Sequence, residues 1–157
     1  MLNFREGEVI CINKPYKVSS FGALAFVRTR ISRALGIKRV KIGHAGTLDP
    51  LATGVLVLCT GKATKRIDEF MQHDKEYTAT LQFGATTASF DMEHPESEWF
   101  EKDHITENGL REELKKFVGN IKQVPPVYSA CNVNGKRAYQ LARKDREVEL
   151  KAKPVRI

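Results

Sequence analysis

The sequence contains no long hydrophobic run and only three cysteines among its 157 residues. No apolar stretch approaches the ~18 residues of a membrane-spanning helix, and residues 1–12 lack the apolar core of a signal peptide. We therefore expect no membrane contact and a cytoplasmic location. Because Cys11, Cys59 and Cys131 are odd in number and lack C-x-x-C spacing, we expect reduced thiols, without a disulfide framework or a zinc site.

The sequence also lacks the common cofactor-binding and nucleophile motifs. It has no G-x-G-x-x-G, no G-x-x-x-x-G-K-[ST] and no G-x-S-x-G. His44 has no second clustered His or Cys, which makes it a poor candidate for a metal ligand. The commonest cofactor-binding sites are therefore not predicted.

Charge is distributed unevenly along the chain, whose net charge is +7. Residues 1–50 carry nine basic and three acidic side chains, residues 51–120 carry eight and thirteen, and residues 121–157 carry nine and three. The densest basic stretch, residues 28–41, contains no acid. Two basic blocks on either side of an acidic segment favour a polyanionic partner. The alternative is a solvated helix face that carries charge for solubility.

A chain of this length, with 41% hydrophobic residues, is sufficient for one domain with a sizeable core. Periodicity and turn signals predict strands at residues 8–12, 54–60, 77–83, 148–150 and 153–157. They predict helices that begin at Ser19 or Ser20, at Lys65 with Thr64 as its cap, at Thr106, and at Ala138. The helix after Thr106 is predicted to bury Leu110, Leu114, Phe117 and Val118. The remaining long segments are predicted to be an acidic connection at 84–101 and a loop at 121–136 with a tight turn at Asn134-Gly135.

Residues 43–54 form a glycine-rich segment between two apolar stretches and contain one His and one Asp. Two interpretations of Asp49 are open. It is either an ionised carboxylate that forms a covalent adduct or a turn residue that caps the local backbone. His44 likewise either donates to a phosphate or ribose of a ligand or satisfies a backbone carbonyl.

The segment Gly43 to Leu56, G-H-A-G-T-L-D-P-L-A-T-G-V-L, closely resembles the catalytic motif of the TruB family, the tRNA pseudouridine-55 synthases. Four further segments resemble family motifs in the same order: residues 13–15 with 19–20, residues 61–65, residues 74–77, and residues 125–130 with 135–139. The resemblance covers essentially the whole chain.

The resemblance implies an α+β chain with the pseudouridine synthase fold, a mixed and mostly antiparallel sheet flanked by helices. It implies that Asp49 is the nucleophile that initiates cleavage of the uridine glycosidic bond, after which the uracil rejoins the ribose through carbon 5. Tyr77 matches the residue that stacks on the target base and is a candidate for assisting removal of the carbon-5 proton; the alternative is an ordinary aromatic side chain on a half-buried strand. No cofactor or metal is implied.

The implied substrate is the T stem-loop of tRNA, bound by a monomer. Because the reacting atoms are covered in a stacked loop, the target nucleotide must be extruded, and His44 resembles the residue that holds the loop open. The residues that we expect to contact the substrate are His44, Gly43, Gly46, Leu48, Lys14, Arg30, Arg33, Lys136 and Arg137. Residues 125–148 resemble a thumb-like insertion that closes on RNA.

Two departures from the family pattern stand out. Lys17 occupies the usual glycine position of the first motif, which affects the first turn rather than the chemistry. The family's C-terminal segment, whose arginine pairs with the nucleophile, and its RNA-binding PUA domain are not present in residues 1–157. The chain therefore resembles an N-terminal portion, incomplete at its C-terminal end, and we expect residues 1–157 alone to be inactive or nearly so.

Two functional hypotheses follow. The first is a cofactor-free isomerase that acts on a T-loop uridine of tRNA. The second is a non-catalytic RNA-binding or tRNA-folding module on the same scaffold. Asp49 discriminates between them, since a module without catalysis is free to lose the nucleophile, and the intact motif favours the enzyme. A structural or assembly fragment is a third reading, which rests only on the abrupt end of the chain.

Overall fold

A computed structural model describes residues 2–129, 131–133, 135–138, 141 and 150–157. The chain divides into two compact units, Met1–Thr78 and Ala79–Ile157, called the first and second unit below. Both contain helices and antiparallel strand pairs, which confirms the predicted α+β class. Among the helices of the described residues, none combines the length and apolarity needed to cross a membrane.

The first unit is built on a three-stranded antiparallel sheet. Its strands are β1 (Val9–Lys14), β2 (Ile42–Ala45) and β3 (Gly54–Thr60), in the order β1-β3-β2. The apolar run predicted as a strand at 54–60 is the central strand, and its last three residues are buried in succession, as expected for a strand covered on both faces. The predicted strand at 8–12 is confirmed as β1. β2 was not predicted, and most of it lies in the glycine-rich segment at 43–54.

Helix α1 (Ser20–Ala34) covers this sheet. Ser19 is its N-cap and accepts a hydrogen bond from the Gly22 amide at 3.0 Å. After the helix, Gly36 adopts a φ of +62°, as a glycine that ends a helix commonly does. Ala23 and Leu24 of α1 form the core with Leu56 and Leu58 of β3. The predicted helix is confirmed.

The helix predicted to begin at Lys65 has a different start. Gly61–Arg66 is a 3-10 helix, and α2 (Ile67–Met71) follows it. Thr64 does not cap α2, because its hydroxyl donates to the Gly61 carbonyl at 2.8 Å instead of accepting from an amide.

The prediction of a strand at residues 77–83 is wrong. Residues 74–83 are neither helix nor strand, and Tyr77 and Leu81 are each 70% exposed. Alternating polarity produces a strand only where a neighbouring strand supplies ladder hydrogen bonds and one face is covered. No strand among the described residues pairs with this segment.

In the part of the second unit that the structure describes, there are three antiparallel strand pairs and a nine-residue helix. Its elements are β4 (Ala85–Thr87), β5 (Glu96–Trp99), α3 (Glu107–Lys115), β6 (Asn120–Gln123), β7 (Asn132–Val133), β8 (Lys136–Arg137) and β9 (Lys153–Arg156). The pairs are β4 with β5, β6 with β9, and β7 with β8. The prediction that residues 84–101 form only an acidic connection is wrong, because β4 and β5 pair as a hairpin within this segment.

Helix α3 begins as predicted, with Thr106 accepting from the Gly109 amide at 3.1 Å. Its predicted buried stripe is wrong: Leu110 is only half-buried, and Leu114, Phe117 and Val118 are exposed. Of the predicted Asn134-Gly135 turn, the structure describes only Gly135, which has a φ of +80°. The predicted strand at 153–157 is confirmed as β9. The helix predicted from Ala138 to residue 144 and the strand at 148–150 lie almost entirely outside the described residues.

Candidate active site

The loop between β2 and β3 carries Asp49 in the first unit. These strands are antiparallel neighbours, with Ala45 paired to Val57, so the eight residues 46–53 form a surface loop at one end of the sheet. The Ala52 amide donates to the Asp49 carbonyl at 3.0 Å and closes a turn. Asp49 itself is exposed, so its carboxylate is accessible to a ligand.

Ser20 holds the residue that precedes Asp49. Its hydroxyl accepts from the Leu48 amide at 2.9 Å and donates to the Leu48 carbonyl at 2.8 Å. Ser20 is buried at the start of α1. One side chain therefore fixes the peptide groups on both sides of Leu48 relative to the helix.

Lys14 holds the residue that follows Asp49. Its side chain is fully buried, and Nζ donates to the carbonyls of Pro15 at 2.9 Å, Val18 at 2.6 Å and Pro50 at 3.2 Å. Burial lowers the pKa of the Lys14 ammonium below its ordinary value, and the nearby negative charge of Asp49 opposes this shift. Lys14 thus joins β1, the first turn and the loop, and places a positive charge near Asp49.

The Asp49 side chain is exposed, but the backbone on either side of it is held in place. Leu48 is tied to α1 and Pro50 to β1 through polar atoms that are separated from the loop by about thirty residues of sequence. Preorganisation of this kind is required of a group that must attack a substrate in one geometry.

Gly43 and Gly46 are each required by the structure, for different reasons. A Cβ on Gly43 would lie 2.6 Å from Ile67 Cδ1, so Gly43 in β2 allows α2 to pack closely on the sheet. Gly46 has a φ of +103° with open space around it, so it supplies the backbone conformation that begins the loop. His44 Nδ1 contacts the Gly46 carbonyl. Of the two interpretations of His44, contact with a ligand or with a backbone carbonyl, the structure shows the contact with a carbonyl.

A cavity of about 960 Å³ opens beside the loop, entirely within the first unit. Gly46, Leu48 and Leu51 form part of its wall, and Phe70 and the segment 73–78, including Tyr77, form another part. Asp49 is not itself a lining residue but lies in sequence between two of them. Tyr77 is 70% exposed, which leaves its ring available for stacking.

A family model described as the TruB family pseudouridylate synthase (N-terminal domain) matches residues 32–157. The chain belongs to the TruB family. The model match includes the whole Asp49 loop, the segment that carries Tyr77, and all of the second unit.

TruB relatives align with nearly all of the chain. Proteins named tRNA pseudouridine synthase B from Phocaeicola vulgatus and from Bacteroides thetaiotaomicron are each 59% identical over 152 residues, which is 97% of this chain. The protein named tRNA pseudouridine synthase B from Flavobacterium johnsoniae is 44% identical over 155 residues, which is 98% of this chain. The chain spans 65%, 63% and 68% of the lengths of these three relatives, respectively.

Among solved structures, a chain in the crystal structure of a Cbf5-Nop10-Gar1 complex is similar over 82% of this chain and 32% of its own length. The TM-score is 0.48 and the sequence identity is 27%.

Lys17 occupies the position at which the TruB pattern has glycine. Its φ of +60° is a backbone conformation that glycine adopts readily, which explains the glycine in the pattern. This left-handed backbone conformation costs a residue with a Cβ about 1–2 kcal/mol. The turn between β1 and α1 therefore keeps the shape that a glycine would favour, at some expense of stability.

The structure brings together only part of the predicted TruB site. Lys14, His44, Gly46, Leu48 and Asp49 lie in or against one loop, and Tyr77 lines the adjacent cavity. Arg30 and Arg33 are exposed on α1, where the Arg30 guanidinium lies 5.1 Å from the centre of the Phe26 ring. Lys136 and Arg137 belong to β8, and their side chains lie outside the described part of the structure.

Sequence reasoning missed Ser20 as a site residue and considered it only as a helix cap. A signal was available, because Ser20 continues the apolar stripe of α1 formed by Leu24, Val27 and Ile31 at helical spacing. A serine on a buried stripe needs a hydrogen-bond partner. Nothing local, however, identifies Leu48 as that partner.

Within the described residues, no group of three or more His, Cys, Asp or Glu side chains is placed to hold a metal ion.

Proposed function

We propose that this chain supplies the nucleophile of a pseudouridine synthase that converts a uridine in the T loop of tRNA, at position 55, into pseudouridine. The observation that carries the proposal is the position of Asp49. It is an exposed carboxylate in a TruB motif, held from both sides by Ser20 and Lys14, next to a cavity within the size range of small-molecule sites. The names of the relatives support tRNA as the substrate.

The reaction is an isomerisation and needs no external reactant. Asp49 initiates it as an ionised nucleophile that forms a transient covalent adduct. The bond between C1′ and N1 breaks, the uracil turns, and C1′ bonds to C5. The proton on C5 is lost and N1 gains a proton, so that the product has the composition of the substrate. Lys14 stays hydrogen-bonded to three carbonyls throughout and keeps the loop that carries Asp49 in place.

The target nucleotide must leave its stack to reach Asp49, at an energetic expense of a few kcal/mol that contacts in the pocket offset. Tyr77 is suited to one such contact, because aromatic stacking on an extruded base contributes ~1–3 kcal/mol and its ring is exposed at the cavity. Gly43, His44, Gly46 and Leu48 would contact the nucleotides beside it.

Basic residues away from the pocket would bind the phosphate backbone. We assign this role to Arg30 and Arg33 on α1 and to Lys136 and Arg137 in the segment 125–148, which would close on the RNA. Lysine and arginine contacts of this kind dominate affinity for nucleic acids and weaken with salt. The protein is proposed to act as a cytoplasmic monomer.

The decisive experiment compares Asp49→Asn with Asp68→Asn in the protein that contains this chain. Asp68 is an exposed carboxylate in α2, away from the cavity lining, so both variants lose the same charge. Pseudouridine in a tRNA transcript is mapped after single-turnover incubation. We expect Asp49→Asn to lose at least about a thousandfold in rate, since only binding and electrostatic effects would remain, and Asp68→Asn to keep the wild-type rate.

Two outcomes would contradict the proposal: equal rates for Asp49→Asn and wild type, or a wild-type protein that leaves the T-loop uridine unchanged. If that wild-type protein still bound the transcript tightly, the non-catalytic RNA-binding or tRNA-folding module would be the better description.

A further inference from the structure

The loop between β4 and β5 contains a chain of hydrogen-bonded side chains. The Ser89 hydroxyl donates to Asp91 Oδ1 at 2.5 Å, and His94 Nδ1 lies 2.9 Å from the Ser89 oxygen. Because the single hydroxyl proton of Ser89 goes to Asp91, the proton of the second bond comes from Nδ1, and His94 is the donor. All three side chains are half-buried. The orientation of the His94 ring is therefore fixed by the loop in which it lies.

Asp91 ties the two sides of this loop together. Its Oδ1 also accepts from the Glu93 amide at 2.9 Å, and its backbone carbonyl accepts from the Thr87 hydroxyl at 2.6 Å. Phe90, the residue before Asp91, has a φ of +59°. A residue with a Cβ keeps this left-handed conformation only where surrounding contacts impose it. The hydrogen bonds of the loop thus enforce one shape against the preference of its backbone.

His94 connects this loop to a segment far away in the sequence. Its ring lies against that of Tyr128, with 4.6 Å between the ring centres and 52° between the ring planes. Aromatic pairs at such distances stabilise a structure beyond the area that they bury. Among the described residues of the second unit, only Ala138 is buried. The pair of rings therefore contributes more to the order of this unit than it would in a large core.

Hydrogen bonds continue from Tyr128 to the β7–β8 hairpin. The next residue, Ser129, accepts through Oγ from the Cys131 amide at 3.5 Å, and the Cys131 carbonyl accepts from the Ala138 amide at 2.8 Å. Cys131 directly precedes β7, and the fully buried Ala138 directly follows β8. The two ends of the hairpin are thereby joined to each other, next to the segment that His94 contacts.

We propose that His94 is a positioning residue for RNA binding. Through its contact with Tyr128 it fixes the base of the β7–β8 hairpin, which carries Lys136 and Arg137. The proposal rests on the function proposed above, in which these two cations bind phosphates. His94 acts without touching the RNA, because a hairpin that is already fixed at its base loses less conformational freedom when it binds.

A role of His94 in the fold alone is the competing explanation. It would lower the stability of the second unit without changing the affinity of the folded protein for RNA. Three substitutions separate the contacts of the side chain. His94→Phe keeps a ring beside Tyr128 and loses the bond to Ser89, His94→Asn keeps an amide donor near the place of Nδ1 and loses the ring, and His94→Ala loses both.

The test measures binding of a T-stem-loop RNA hairpin at one fixed salt concentration, since affinity for RNA depends on salt. All variants are made in the Asp49→Asn background of the protein that contains this chain, so that no turnover occurs. His94→Ala and Tyr128→Ala are measured singly and together as a double-mutant cycle. His104→Ala is the control, because His104 is an exposed histidine of the same unit. Circular dichroism checks that each variant is folded, and hydrogen exchange over residues 125–133 is measured without RNA.

We expect His94→Ala to weaken RNA binding about threefold to tenfold, the range that the loss of an aromatic pair allows. Tyr128→Ala should weaken it by a similar factor, and the double variant by no more than the larger single effect. His94→Phe should retain most of the affinity, whereas His94→Asn should resemble His94→Ala. Hydrogen exchange over residues 125–133 should be faster in the Ala and Asn variants and unchanged in His104→Ala.

Wild-type affinity in a folded His94→Ala protein would overturn the proposal, and faster exchange with that affinity would assign His94 to the fold alone. Effects of His94→Ala and Tyr128→Ala that multiply in the double variant would also overturn it, because the two rings would then act independently. None of these readouts needs turnover. A protein that shows the coupling but leaves the T-loop uridine unchanged would refute the proposed activity and not the role of His94, so the two failures are distinguishable.

Discussion

The two units of the chain differ in how much they bury. Of the twelve buried residues among those described, eleven lie in the first unit, and the second unit contributes only Ala138. Large apolar side chains of the second unit are exposed instead, including Trp99, Leu114 and Phe117. The candidate site lies in the first unit, where a core exists to hold its loop.

Helices α1 and α3 show the difference most directly. Both follow a hydroxyl N-cap and both have apolar residues at helical spacing. α1 buries Ala23 and Leu24 against the sheet, whereas no residue of α3 is buried. An amphipathic pattern thus identifies a helix, but whether its apolar face is covered depends on a second apolar surface elsewhere in the chain.

The largest test of this difference compares Leu58→Ala with Leu114→Ala. Leu58 is fully buried in the core and Leu114 is 50% exposed. We expect Leu58→Ala to reduce the free energy of unfolding by ~2–5 kcal/mol, through lost apolar burial and the cavity left behind. Leu114→Ala should cost less than ~1 kcal/mol. Urea titrations report the change, with amide exchange in β3 following the first unit and Trp99 fluorescence the second.

Equal losses for the two leucines would mean that α3 is packed as tightly as the core, and the contrast between the units would then be wrong.

A smaller effect is expected from two hydroxyls at helix starts, Ser20 in the first unit and Thr106 in the second. Ser20→Ala leaves the Leu48 amide and carbonyl without their partner and should cost ~1–3 kcal/mol. Thr106→Ala removes one capping bond and should cost ~1 kcal/mol.

Activity separates the two roles. If Asp49 is the nucleophile, as proposed, Ser20 positions it through the two bonds to Leu48, and Ser20→Ala should lower kcat at temperatures where the protein is still folded. Thr106→Ala should lower stability alone. A Ser20→Ala protein with full kcat would show that the two bonds to Leu48 serve only the fold.

The smallest effects are expected where a residue with a Cβ adopts a left-handed backbone. Each unit has one such residue, Lys17 at a φ of +60° and Phe90 at +59°. Lys17→Gly and Phe90→Gly should each raise stability by about 0.5 kcal/mol, because relief of the steric strain slightly exceeds the entropy that glycine loses on folding. Phe90 is exposed, so its removal sacrifices no core contact. Urea midpoints that decrease in either variant would contradict the expectation.

Sequence reasoning succeeded where the signal is local. The apolar run of β3 and the Ser19 and Thr106 caps each depend on neighbouring residues, and each is present. The motif around Asp49 was also sufficient to identify the family. These features require no knowledge of the rest of the chain.

It failed where the outcome depends on a distant partner. β2 exists because β3 pairs with it, and that pairing made a strand of Ile42–Ala45 despite the glycine within it. Residues 77–83 have the alternation of a strand but no partner among the described residues. The bonds from Ser20 to Leu48 and from Lys14 to Pro50 join residues 28 and 36 positions apart, which no local pattern reveals.

The tether from Lys14 to Pro50 has a consequence for folding kinetics. Closing a loop of 36 residues is entropically costly and is compensated only when β1, α1 and β3 are already in place. We therefore expect the Asp49 loop to consolidate late, with φ-values near zero for Lys14 and Ser20 and higher ones for the β1–β3 pairing. The geometry in which Asp49 is proposed to act is then the last part of the first unit to form during folding.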